Sequence, residues 1–141
     1  MEKMVEIIFK KRISLGSVEP MSAIDRIKTL LNSYGVVNEK KEEITASVFN
    51  NKVVAEIFLS IHHNSLIQIV FSFYIDANEK NFVVEVTGRM EVTVPEPTGI
   101  YTSAFRDYFI KHVLDHEYRR VESRVKHLGD EIVKGIMRHY M

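Results

Sequence analysis

The chain has no cysteine. That single absence excludes disulfides, thiolate catalysis and cysteine-based zinc sites. It has no excess of charge either: 19 Lys and Arg face 19 Asp and Glu, with a pI near 7.0. A balanced chain lacks the electrostatic footprint of non-specific nucleic-acid binding, so no nucleic-acid partner is expected. No apolar run approaches the ~20 residues of a membrane span. Met1-Glu2-Lys3-Met4-Val5 enters a strand-like pattern without an apolar signal core, so the expected location is the cytoplasm. Glutamine is nearly missing, with Gln68 alone, and Ile plus Val far outnumber Leu plus Ala. That is the bias of a thermophile, although β-rich chains share part of it. There is no glycine-rich phosphate loop, catalytic-triad signature or di-carboxylate motif, and no cofactor is expected.

What is present is ordinary globular chemistry: 141 residues, 45% hydrophobic and 27% charged, enough for one domain with a real core. Val5, Ile7 and Phe9 alternate with Glu6, Ile8 and Lys10, which predicts a first strand. After a loop with Gly16 and Pro20, the helical spacing of Ile24, Ile27, Leu30, Leu31 and Tyr34 predicts a helix over about 20–34. Gly35 stands where a left-handed cap would end it. From residue 42 to 94 the period is two. Val53, Ala55, Ile57, Leu59 and Ile61 form one row, Ile67, Ile69, Phe71, Phe73 and Ile75 a second. Phe82, Val84, Val86, Met90, Val92 and Val94 form a third, and Ile44, Ala46 and Val48 begin a fourth. A two-residue turn at Asn50-Asn51 would set Val48 opposite Val53 and Ala46 opposite Ala55. A loop at His63-Asn64-Ser65 would set Ile61 opposite Ile67, and so Phe58 beside Val70. A turn at Asn78-Glu79 would set Ile75 opposite Phe82 and Phe73 beside Val84. All three registers agree on one core face, which predicts a four-strand antiparallel meander. Gly88 marks a bend or bulge in its last strand, which Pro95, Pro97 and Gly99 end.

The fold class is α+β: strand, helix, four antiparallel strands and a long C-terminal helix. This order resembles the helix-grip folds, in which a curved antiparallel sheet packs on the C-terminal helix. They include START and pollen-allergen-like lipid carriers (SRPBCC-type proteins), polyketide cyclases and, in a related form, each half of the TATA-binding protein. The resemblance spans nearly the whole chain and rests on topology, without a family motif from which a functional residue could be carried over. It implies a small hydrophobic ligand held beneath the helix. Lipid carriers have six strands after the first helical segment, where this chain shows four.

Everything from Ile100 onward has a helical pattern, which at 1.5 Å per residue would extend ~60 Å past a globule ~35–40 Å across. At 100° per residue, Tyr101, Phe105, Tyr108, Phe109, His112 and His116 cluster on one side. Ile110, Leu114, Tyr118, Val121, Val125, Leu128, Ile132 and Ile136 lie opposite. One straight helix with one partner does not explain both rows. Either the second row, from Tyr118 to Ile136, is the seam of a homodimer, with residues 118–141 extending beyond the domain. Or a kink near Asp115–Glu117 or Gly129-Asp130 turns that row onto the chain's own core. The homodimer is the preferred reading.

His112 and His116 are spaced for two nitrogen ligands on one metal. A third would come from His62, His63, Asp115 or His127, but no spacing identifies it, and no metal is assigned. Beyond His116 the same face turns basic, with Arg119, Arg120, Ser123 and His127. An apolar ligand with an anionic head would suit that gradient. A buried half followed by a solvated half is the plainer explanation of it. On the outer face of the sheet Val54, Phe58, Val70 and Tyr74 form an apolar patch flanked by Glu56, Asp76, Glu85 and Glu91. The function expected from these features is non-enzymatic binding of a small hydrophobic or amphipathic ligand. Its residues would be Tyr101, Phe105, Tyr108, Phe109, His112 and His116, with Arg119 and Arg120 at the head group. The alternative is a ligand-free assembly protein that dimerises through its long helix. An enzyme of the cyclase or hydratase kind is a third reading.

Overall fold

The computed structural model describes residues 2–16, 20–46, 51–64, 66–78, 80–94 and 115–140. Strand β1 (Glu2–Leu15) leads to helix α1 (Pro20–Asn32), then β2 (Val36–Ala46), β3 (Asn51–His62), β4 (Ile67–Ala77), β5 (Phe82–Val94) and helix α2 (Asp115–Tyr140). The five strands make one open antiparallel sheet in the order β1-β5-β4-β3-β2. Both helices lie on one face, α1 over β2 and β3, α2 over β1, β5 and β4. The architecture is therefore the α+β arrangement that the order of elements predicts. Among the described residues no helix is long and apolar enough to cross a membrane.

The meander and its buried rows follow from the alternation. Val53 to Ile61, Ile67 to Ala77 and Phe82 to Val92 bury every second side chain, and no polar or charged residue is buried among those described. The registers differ from the predicted ones, always by an even number. Phe58 lies opposite Ser72 and Val70 opposite Ser60, while Phe73 lies opposite Val86 and Val84 opposite Ile75. Both shifts come from the loops. Asn64 Oδ1 accepts the amides of Leu66 and Ile67 at 2.9 and 2.8 Å. Asn78 Oδ1 does the same for Lys80 and Asn81 at 2.8 and 2.7 Å. An Asn that closes a loop with its side chain needs a longer loop than a tight two-residue turn. Strand β2 is longer and earlier than predicted. It sets Ile44 opposite Val53 and Ala46 opposite Asn51, and Val48 lies outside the described residues. An even shift keeps each row on its face, which is why the core survives all three corrections.

Gly35 is not a left-handed cap. A Cβ there would come 2.5 Å from the Ser60 carbonyl oxygen, so the glycine allows the chain to graze β3. Gly88 is a notch instead of a bend: a Cβ would meet the Phe71 ring at 2.7 Å and Val125 of α2 at 2.9 Å. The bulge itself lies across the ladder in β1, where the register slips between Ile7 and Phe9. Gly129 does not break α2. It seats the helix on the Phe9 ring, 2.8 Å from where its Cβ would stand, and Phe9 meets Phe71 edge-on at 6.5 Å.

The Tyr118-to-Ile136 row goes to the chain's own sheet. Val121, Val125, Ile132 and Ile136 are fully buried in the single chain, and Tyr118 and Leu128 pack at the margin of the same core. The physical reason is proximity: α2 crosses an apolar floor that needs a cover. Its 26 residues extend about 39 Å, about the width of the globule. The seam residues are thus taken up within one chain, and the predicted helix over 100–114 lies outside the described residues.

Candidate functional site

Strand β1 changes sides at its bulge. On the Leu15 side of it, Ile13 and Leu15 are buried opposite Val84 and Phe82. On the other, one extra residue moves Glu6 opposite Met90 and Met4 opposite Val92, and turns Val5 and Ile7 outward at 54% and 59% exposure. A bulge re-aims the side chains that follow it. The result is a half-open cleft of about 290 Å³ between the start of β1 and the first turn of α2. Ile67, Met90 and Val92 supply its apolar floor, Met4, Val5 and Glu6 its β1 wall, and Asp115 and Tyr118 its helix rim. Ligand pockets span about 300–1,000 Å³, so the cleft stands at the lower edge of that range.

The rim is held by one hydrogen bond. The Tyr118 hydroxyl donates to Glu6 Oε1 at 2.9 Å. That bond, more than burial, pushes the phenol up to about 12, so Tyr118 remains a neutral donor at any ordinary pH. On either side of Tyr118 in the sequence, Glu117 and Arg124 tie the β3–β4 loop to the helix. His63 Nε2 lies 3.3 Å from Glu117 Oε2, and Arg124 Nη1 3.0 Å from His63 Nδ1. A guanidinium has only donors. Nδ1 must then accept, which leaves the proton on Nε2 to bond Glu117. Glu117 also faces Arg120 at 3.7 Å.

The structure brings together few of the residues predicted as a site. Tyr101, Phe105, Tyr108, Phe109 and His112 lie outside the described residues. His116, Arg119 and Arg120 are exposed on α2, and none of them lines the cleft. Among the described residues no three His, Asp or Glu side chains converge on a metal position; His63 is engaged by Glu117 and Arg124 instead. Tyr118 joins the site in a different role from a seam residue. Met4 and Glu6 are members that periodicity misses as ligand contacts, because a bulge, invisible to a two-residue period, brings them there; Asp115 comes from α2. Gly88 opposite the slip is the one local signal. The outer patch is less open than its composition suggests. Val70 is only 4% exposed, and Arg89 lies 5.7 Å over the Phe58 ring while donating to Ser72 Oγ at 2.8 Å. Comparison of the chain with protein-family models, with curated proteins and with solved structures finds no match. Function must be read from the cleft itself.

Proposed function

We propose that this chain is a helix-grip-like protein that binds a small hydrophobic or amphipathic molecule without chemistry. The observation that carries this reading is the cleft: about 290 Å³ over an apolar floor of Ile67, Met90 and Val92. Its origin adds support. The β1 bulge leaves Val5 and Ile7 in water, and burying such side chains is worth about 1.5–3 kcal/mol each. Breaches of local consistency tend to collect where function needs them. The Tyr118 hydroxyl has the Glu6 carboxylate beside it, but its phenol is pushed up to about 12, so at ordinary pH it stays a donor and not a nucleophile. An assembly role through α2 would need its apolar row free, and that row is packed on the chain's own sheet.

The test is a thermal-shift screen against small apolar and amphipathic molecules, with native mass spectrometry for a retained ligand. A ligand at about 100 times its Kd adds about 2.7 kcal/mol to native stability, a shift of several degrees for a domain of this size. Met4→Trp, at the cleft wall, should abolish the shift while leaving the ligand-free melting temperature nearly unchanged. If no molecule shifts the transition and no extra mass is retained, the reading is lost.

A further inference from the structure

The charges around the cleft carry the reading further. Its lining includes two carboxylates, Glu6 and Asp115, and no cation among the described residues. Neither carboxylate is in an ion pair with a described residue; the partner of Glu6 is the Tyr118 hydroxyl. An ionised carboxylate offers about four lone-pair positions, and Tyr118 uses one of them on Glu6. Because the bound phenol keeps its proton until about pH 12, it donates to Glu6 without adding or removing charge.

The part of α2 that borders this rim carries two acids, Asp115 and Glu117. Glu117 is further engaged by His63 and Arg120. Among the described residues, what remains facing the cleft is acidic above an apolar floor. Two carboxylates do not complete a metal's ligand set, and among the described residues no third His, Cys, Asp or Glu joins them.

We infer that the cleft selects ligands with a protonated amine on an apolar body, the ammonium lying at Glu6 and Asp115 and the body over Ile67, Met90 and Val92. This rests on the ligand reading above and reverses the head group expected from Arg119 and Arg120, neither of which lines the cleft. At ~30 Å³ per water-sized group the cleft holds on the order of ten heavy atoms, so an eight-carbon chain is a fitting probe.

Octylamine, octanol and octanoate share a body and differ in charge. Titration calorimetry at low salt should rank octylamine first, about fivefold tighter than octanol, the scale of a solvent-accessible ion pair, with octanoate weakest. Glu6→Gln keeps an acceptor for Tyr118 and should weaken octylamine more than octanol, narrowing the gap between them. Asp115→Asn is a second, independent variant with the same expected direction. Raising the salt should narrow the gap between octylamine and octanol. If all three bind alike, or octanoate binds best, the amine preference is overturned while the hydrophobic-ligand reading stands. An amine preference that survives both variants undiminished overturns the assignment to these carboxylates. If none of the three binds, the ligand reading falls and the amine preference with it.

Discussion

The two ends of the helix-covered layer use the same apolar floor to opposite effect. At one end α1 and the last turns of α2 close over β3 and β4. Ile24, Ile27, Leu31, Ile132 and Ile136 are fully buried there, and Gly135 lets α2 approach Leu30. At the other end the same kinds of side chain, Ile67, Met90 and Val92, lie beneath a cleft whose upper edge is Glu6, Asp115 and Tyr118. Polar groups enter the layer only where it is open. The contrast teaches that the cleft is not a lack of hydrophobic residues. Ile7 is available to fill it and faces the other way, and Val5 stands exposed at its edge.

Charge placed at the sealed middle should therefore have the largest effect. Val125→Glu puts a carboxylate where the side chain is fully buried. It should cost more than about 4 kcal/mol, abolishing the cooperative transition in urea. Sedimentation would show an unfolded or aggregated chain; a folded monomer would mean that Val125 belongs to a subunit seam after all. Gly129→Ala should cost about 1–3 kcal/mol by crowding Phe9. Helix propensity alone predicts the opposite sign, a gain of about 1 kcal/mol. The sign in urea decides between them.

At the open end the effects shrink. Tyr118→Phe should cost about 0.5–1 kcal/mol at neutral pH, since its hydrogen bond to Glu6 is accessible to water. This residue also leaves a pH signature. The unfolded tyrosine, at its ordinary 10.0, loses its proton before the folded one at about 12. The stability it contributes is fully present below pH 10 and lost between pH 10 and 12. Tyr118→Phe should lack that component, which denaturation midpoints at pH 9 and 11 would reveal. Ile7→Thr, on the outward side of the bulge, should change stability by less than about 0.5 kcal/mol. A larger loss would show that this surface is covered in solution.

Fold was legible wherever one face repeats. The rows of β3, β4 and β5 follow from a period of two, and they survive even register shifts because parity alone decides the face. Loop lengths were not legible. Asn64 and Asn78 act through their side chains, and nothing in Asn78-Glu79 separates a tight turn from an Asn-closed loop. The helix row from Tyr118 to Ile136 was plain as a pattern, but an apolar stripe does not name its partner. The choice between a second subunit and the chain's own sheet depends on the notches at Gly88 and Gly129, which matter only in three dimensions. Of the candidate site, Tyr118 and Asp115 were visible as residues but not in their role at the rim. Glu6 read as the solvent side of a strand, and it would be so in a strand without a slip.

That slip is a reading frame written in side chains. Were the ladder that pairs Leu15 with Phe82 and Phe9 with Gly88 to continue without a slip, Ile8 would stand opposite Arg89, Ile7 opposite Met90 and Val5 opposite Val92, while Glu6 turned to solvent. Two branched aliphatic chains would then cover the floor in place of a carboxylate and a methionine. Deleting Ile8 would not restore that frame: it takes out the extra residue and leaves Ile7 opposite Arg89 and Glu6 opposite Met90, where they already stand. The deletion should thus spare the uptake of an apolar guest. The frame, and not the number of residues, separates a vessel from a solid.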